Sequence, residues 1–541
     1  MSVVESRRRT SSPRFSIVTP VYDPPADVLR EMVESVLAQS FADWEFVLID
    51  DCSPSDHVLP ILRGYAASDE RITVVERTSN GGIVAASNDG LAVARGEFVG
   101  LLDHDDTLVV DALRLVDMYA NQYPEMDYCY SDEDLIDLTG KYVGPFYKPD
   151  WSPERLRAQN YCTHFSVFRA SLIEQIGGFR PGFDGSQDYD IILRASEQAR
   201  EVVHIPFVLY HWRQIATSVA SGDLSVKPYA YDAGRKAVEQ HCARLGLDAD
   251  VTLGDFPGNY RTRRRTPVDA RISVVIPTAG ESARVWGVER LHVVETIRSV
   301  LAHSSRPLEF VVVVEPVTSD HVRASIERAV GDHDVRIVEA PADAGRSELV
   351  NLGVVTATGD FLLLMHDDIE VVTDEFVDEL LGYAVDPSVG AVGCLAYFAD
   401  GRIRHGGYVH NGNPHEIMQG FAGDTPGHRG MMTVARETAS VSAACMMVRR
   451  EVFFDVGGFS RSLHDDFGDV DFGLKLRSRD LTRIWTPHVA VYDFGVVVDP
   501  VAPTADRELL QRRWGHQLQQ DPYFNPNLQP DRHDWVEKGL R

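Results

Sequence analysis

Phe15-Ser16-Ile17-Val18-Thr19-Pro20 returns 257 positions later as Ile272-Ser273-Val274-Val275-Ile276-Pro277, and this echo decides the fold. Each is a β-branched run closed by proline, which reads as a strand that stops where its backbone can no longer donate. The order of features downstream also recurs, and recurrence in fixed order marks duplicated units. A helical stretch carries Ser35-Val36-Leu37 in one copy and Ser299-Val300-Leu301 in the other. Apolar runs follow at 44–49 and 308–314, third strands at 72–75 and 335–338, and helices at 85–94 and 348–357. Fourth strands open on Gly96-Glu97-Phe98 and Gly359-Asp360-Phe361. Strands alternating with helices of this length predict a mostly parallel α/β sheet in each half, with ligands at the C-terminal strand ends.

The chain divides accordingly into a mobile tail (1–14), a first α/β domain (15–247), a linker (248–270), a second domain (271–500) and an extension (501–541). The linker is placed where Pro257, Gly258 and the run Arg261 to Arg265 break the apolar pattern. At 541 residues and 44% hydrophobic content, at least two cores are expected. Fifty-three basic against 81 acidic side chains give a formal charge of -28, which argues against nucleic acid as a partner. Six scattered cysteines form no C-x-x-C pair, so neither a zinc cage nor a disulfide framework is expected. No apolar stretch approaches the roughly 20 residues of a membrane span, and the arginine- and serine-rich start lacks a signal-peptide core.

Both fourth strands run into carboxylates. Leu101-Leu102 is followed by Asp103-His104-Asp105-Asp106, three acids at a sheet edge, where mutual repulsion calls for a hard divalent cation such as Mn2+ or Mg2+. Such an ion could bridge to a diphosphate that this acidic protein would otherwise repel. A solvated turn is the alternative.

Here the sequence resembles a tandem member of the family 2 glycosyltransferases with the GT-A fold, of the kind found in bacterial surface-polysaccharide synthesis. The resemblance rests on Thr19-Pro20-Val21-Tyr22, Asp50-Asp51, Asn80-Gly81-Gly82 with Asn88, the Asp103 to Asp106 run as the D-x-D motif, and Tyr130-Ser131-Asp132-Glu133-Asp134. It extends through Phe146-x-Lys148-Pro149-Asp150-Trp151-Ser152-Pro153, Gly185 to Asp190, Leu209-Tyr210-His211-Trp212-Arg213, Arg513-Trp514-Gly515 and Asp521 to Leu528.

The resemblance implies nucleotide-sugar contacts from Pro20, Tyr22, Asn88 and Asp103, with Asp50 or Asp51 at the base. It implies a metal held by Asp105 and Asp106 and completed by His211, with Asp188 as the base that deprotonates an acceptor hydroxyl. It further implies a nucleoside-diphosphate sugar donor and a glycan or lipid-linked glycan acceptor. A cytoplasmic site of action, with peripheral contact at the inner face of the membrane, is family analogy only. Strand-end turns at Asp50-Asp51, a satisfied core role for His211 and helix capping by Asp188 remain alternatives. Asp190 suits the first turn of a helix.

In the second copy Met365-His366-Asp367-Asp368 replaces the first acid by histidine, though Asp367 and Asp368 keep metal-binding potential and Asp469 keeps the place of the base. Val491-Tyr492-Asp493 carries an acid where the family's histidine is expected. This copy is either a second transferase or a half that binds acceptor and braces the first. An insertion at about 400–430 holds His405, His410, His415 and His428, whose spacing favours a flexible acceptor lid over a metal site.

A sugar nucleotidyltransferase would need a glycine-rich loop with a following basic residue, and a dinucleotide oxidoreductase would need G-x-G-x-x-G where Pro20 and Pro277 stand. A silent carbohydrate-binding scaffold shares the fold. Glycoside hydrolysis wants two carboxyls across a bond rather than a cluster at one strand end.

Overall fold

The computed structural model describes residues 2–4, 12–214, 228–496 and 504–539. The first half is built on ten strands: β1 (Ser2–Val4), β2 (Phe15–Val21), β3 (Trp44–Asp50), β4 (Ile72–Glu76), β5 (Phe98–Leu101), β6 (Thr107–Leu108), β7 (Met126–Ile136), β8 (Tyr142–Phe146), β9 (Val167–Arg169) and β10 (Glu201–Arg213). They lie in the order β1-β4-β3-β2-β5-β9-β7-β10-β6, with β8 beside β7. Strands β4, β3, β2 and β5 are mutually parallel, β7 and β10 are parallel, and β9 runs against both neighbours between the two blocks.

The second sheet repeats this order without the β1 edge. It runs Asp334–Glu339, Leu308–Val314, Ile272–Thr278, Phe361–Met365, Cys445–Arg449, Val389–Tyr397, Thr482–Asp493, Ile369–Val371. The duplicated, mainly parallel α/β architecture expected from the repeat is therefore what the chain adopts.

Burial explains why these runs became strands. Every residue of β3 is buried, as are all but Pro20 in β2, because helices cover both faces. Ala26–Leu37 supplies Leu29, Met32, Val33 and Val36 to one face. Gly82–Val93 lies on the other, so close that a Cβ at Gly90 would strike Ile49 and Val18, and at Gly353 in the second half Val275 and Val313. The same close approach is built twice.

Three segments differ from the expectation. Within the 1–14 tail, Ser2–Val4 extend the sheet antiparallel to β4. The presumed linker folds as an antiparallel hairpin, Ala249–Leu253 with Tyr260–Arg264. Its arginines are ion-pair partners rather than linker charges: Arg264 pairs with Glu154 in the first half and lies 4.9 Å over Tyr383 in the second, while Arg261 meets Glu379 at 2.8 Å.

The histidine-rich insertion is also packed rather than lid-like. His405, His410 and His415 are all under 9% exposed, in short strands at Ile403–His405, Tyr408–His410 and Pro414–Glu416. Burial holds His405 and His410 down at about 3, neutral imidazoles inside the core. Among the described residues no helix is long and apolar enough to cross a membrane.

Candidate active site

β5 ends at Leu101, and the backbone then turns, with Asp106 N donating to Asp103 O at 3.3 Å. A turn of four residues brings the Cα atoms of its first and last residues to within about 7 Å. Asp103 and Asp106 thus converge, and His164, from the loop before β9, joins them. One oxygen of each carboxylate and one ring nitrogen all lie within 4.8 Å of one another, the one such group of three among the described residues.

Asp106 is fully buried. Its Oδ2 accepts from Tyr210 Oη at 2.5 Å and its Oδ1 from Arg213 N at 2.7 Å. Burial, then Asp105 and Asp103, pushes its carboxyl well above the usual range. Asp103 is raised as well, mainly by burial, with His164 opposing the shift. His164 stacks on Tyr210 with ring centroids 4.5 Å apart and meets Trp212 edge-on. Two oxygens and a nitrogen around uncompensated negative charge suit a divalent cation such as Mn2+.

Asp105 and His211, expected from the sequence to be metal ligands, are not among these three. Asp105 lies between Asp103 and Asp106 in sequence; its charge helps raise the carboxyls of both, and its carbonyl accepts from Arg213 Nε at 2.7 Å. His211 lies next to Tyr210 on β10, so its side chain projects from the opposite face. There it bonds Asp134 at 2.5 Å and stacks on Tyr142 at 4.0 Å. Histidine 164 was missed because it sits in no acidic run; its only signal is the Thr163-His164-Phe165 stretch before a short strand.

Asp188 stands in the first turn of the helix Gln187–Ser196 and accepts from Asn160 Nδ2 at 3.0 Å. Burial raises its carboxyl while His164 lowers it, so Asp188 shares the field of the Asp103 group. Asp190, one turn surface away, is buried and paired with Arg180 and with Arg194 at 2.9 Å, a structural role.

The other expected nucleotide contacts divide. Tyr22 is 47% exposed, and the Pro20 carbonyl lies 3.3 Å from His104 Nδ1. Asp50 is buried and accepts from Ser53 N at 3.2 Å. Asp51 spends its carboxylate on Gly81 N, Gly82 N and Arg77, tying β3 to the start of the helix Gly82–Val93. Asn88 is engaged with the backbone. Its amide group donates to Phe179 O at 2.9 Å and accepts from Phe179 N at 2.9 Å, and Asn351 clamps Phe459 in the same way.

In the second half, strand register sets the correspondences. Phe15 pairs with Phe98, and Ile272 with Phe361, which equates His366 with Asp103 and Asp368 with Asp105, leaving Ile369 at the place of Asp106. Thr107 pairs with His211 and Glu370 with Tyr492, so Tyr492 and not Asp493 holds the place of His211. His366 lies 3.3 Å from Arg346, and burial keeps it neutral. Asp367 accepts from Thr278 Oγ1 at 2.5 Å. Asp368 is pushed up to about 7 by burial and by Asp493, and its Oδ1 has no hydrogen-bond partner. Asp469 accepts from Ala443 N at 3.2 Å and Tyr408 Oη at 3.4 Å.

The family model described as "Glycosyl transferase family 2" matches residues 16–177, and that described as "Glycosyltransferase like family 2" matches 270–515. Both halves belong to glycosyltransferase family 2. The chain is 36% identical over 550 residues to "Uncharacterized protein y4gI" of Sinorhizobium fredii, covering 98% of this chain and 59% of that one. It is 35% identical over 541 residues to "O-antigen biosynthesis protein RfbC" of Myxococcus xanthus, covering 96% of this chain and 41% of that one. It therefore spans 59% and 41% of the length of these two relatives. Among solved structures, S. aureus TarS 1-349 in complex with UDP-GlcNAc matches with a TM-score of 0.34 at 20% identity, over 41% of this chain and 65% of that chain.

Proposed function

We propose that the first half transfers a sugar from a nucleoside-diphosphate sugar to a hydroxyl of a glycan or lipid-linked glycan acceptor, with inversion, as a step in surface-polysaccharide assembly at the inner face of the membrane. The observation that carries this reading is the convergence of Asp103, Asp106 and His164 with Asp188 at the C-terminal edge of a parallel sheet. Family membership of both halves and the O-antigen role in the name of a relative support it.

Asp103, Asp106 and His164 would hold Mn2+ or Mg2+, which when bound offsets the negative charge gathering on the departing diphosphate. Asp188 accepts the proton of the acceptor hydroxyl as that oxygen bonds to the anomeric carbon. Its raised carboxyl makes it a stronger base than a solvated aspartate, and Asn160 fixes its orientation. Asp50, Pro20 and Tyr22 stand at the neighbouring strand ends, where the nucleotide would lie. Asp51 acts indirectly, by closing the turn at Gly81-Gly82.

The second half reads as an acceptor-binding and bracing partner. A neutral histidine and Ile369 occupy the places of Asp103 and Asp106, and among the described residues Asp367 and Asp368 belong to no group of three like that of the first site.

The test is incubation of the full chain with a panel of radiolabelled nucleotide sugars and Mn2+. Donor consumption that disappears in Asp106→Asn and survives in Asp368→Ala is the expected result. A chain that binds nucleoside diphosphate but consumes no donor would instead be the silent scaffold.

A further inference from the structure

The last segment of the chain reaches back to the first half's site. Asn525 is 2% exposed, and its amide donates to Asp132 at 2.8 and 3.1 Å and to the Lys148 carbonyl at 3.0 Å. Asp132, itself fully buried, accepts from Lys148 N and lies 2.9 Å from His204 Nε2. Pro522 O accepts from Asp150 N at 2.7 Å, and Asn527 donates to Pro206 O at 2.8 Å.

Lys148 carries this contact inward. Its ammonium is fully buried, a position tolerated only with complete pairing. It donates to Glu133 at 3.0 Å, Cys162 O at 2.7 Å and His164 O at 2.5 Å. Glu133 in turn accepts from Thr163 Oγ1 at 2.8 Å and from His164 N at 3.2 Å. Both backbone groups of His164 are thus held by one buried ion pair, and that pair is anchored by the C-terminal segment.

We infer that residues 521–528 are a positioning element for the first half's cation site, acting through Asn525 and Lys148 on His164, so that the first half needs the end of the second to bind metal well. The inference rests on the reading of Asp103, Asp106 and His164 as a cation site. Asn525 and Lys148 are positioning residues and touch neither metal nor substrate. Partners one bond removed from a metal ligand commonly change affinity by about 10- to 100-fold when lost.

The probe is Mn2+ alone, titrated into the full chain and followed by the electron paramagnetic resonance of free Mn2+, with melting temperature measured alongside. Asn525→Ala, which acts one link further out than Lys148, should weaken Mn2+ binding by about threefold to tenfold, at or below the lower end of that range. Asn527→Ala, which loosens the same segment without touching Asp132 or Lys148, should leave it within about twofold. A segment that only docks would lower stability in both variants and Mn2+ affinity in neither, and that result overturns the inference. If Asn525→Ala fails to fold, Thr163→Val removes a hydroxyl from the inner end of the same network; unchanged affinity there overturns it equally. A wild-type chain that takes up no Mn2+ sinks the cation site itself, a distinct failure from a wild-type that binds and an Asn525→Ala that binds as well.

Discussion

Asp106→Asn should make the metal-free protein more stable and the Mn2+-loaded protein less so. The ligand oxygens of Asp103 and Asp106 lie within 4.8 Å of each other, a repulsion of about 3.5 kcal/mol or more when both are ionised at an effective dielectric near 20. Asparagine removes that repulsion. It also loses one of the two bonds that Tyr210 and Arg213 make to a charged acceptor, which costs about 1.5–3 kcal/mol. The net gain is about 0.5–2 kcal/mol, or roughly 1–8 °C in melting temperature for a domain of this size. Free Mn2+ at a hundred times its Kd stabilises the wild-type by about 2.7 kcal/mol, and the variant forfeits that.

The two proteins therefore exchange rank between chelator and Mn2+. The sign with pH agrees: a carboxyl raised in the fold contributes stability below its unfolded value, about 3.9, and loses it as pH rises through the folded value. Wild-type in EDTA should lose stability with rising pH more steeply than the variant. Scanning calorimetry at pH 8, with EDTA and then with Mn2+, checks this. Equal stabilisation of both proteins by Mn2+ would refute the assignment of Asp106, and a variant weaker in EDTA would refute the repulsion argument.

Asp188→Asn should lower transfer by about 10²–10⁴-fold, as for loss of a general base, while Mn2+ affinity stays close to wild-type; single-turnover kinetics with saturating donor read the first and metal titration the second. His211→Asn should leave Mn2+ affinity within about twofold, because that side chain faces Asp134 across the sheet from the acids, and a loss of tenfold or more would show the strand-face argument to be mistaken. Asp368→Asn should flatten the fall in stability between about pH 4 and pH 7, since the Asp368 carboxyl is pushed up to about 7 and its favourable protonated form is lost across that window; urea midpoints across the range decide it.

The fold was legible because its signal is repetition. A strand ended by proline, a helix, a second strand and an acid-tipped fourth strand occur twice in one order, and no single propensity had to be right. The site was legible only as far as adjacency in sequence goes. Asp103 and Asp106 belong to one visible run, but which two of the acids converge depends on a turn whose hydrogen bond no residue name reveals. His164 reaches the group from some 60 residues away through the antiparallel strand β9, a pairing that a motif search along the chain does not see. Asn88, which matches a family motif, also bonds the backbone of Phe179 through both atoms of its amide, a contact that the motif does not announce. Aligning Tyr210 with Tyr492 by name placed Asp493 opposite His211, whereas the pairing of β6 with β10 and of its counterpart shifts the match by one, and a one-residue slip moves a side chain to the other face.

What the duplication kept and what it changed separate cleanly along physical lines. The clamp of Asn88 on Phe179 and of Asn351 on Phe459, and the buried acids Asp190 and Asp471 each held by a cation one turn on, recur because they hold elements together wherever the sheet is built. The residues at the strand ends differ, with His366 and Ile369 at the places of Asp103 and Asp106. The two halves then became mutually necessary. Glu437 of the second half is buried, and it accepts from Ser152 Oγ, from Glu154 N at 2.8 Å and from Arg155 N at 3.4 Å, at the start of the helix Pro153–Ala158. That helix has no side-chain cap of its own. Separating the halves would leave a carboxylate and a set of backbone donors without partners at once, so the second copy is retained by the packing of the first whether or not it transfers sugar.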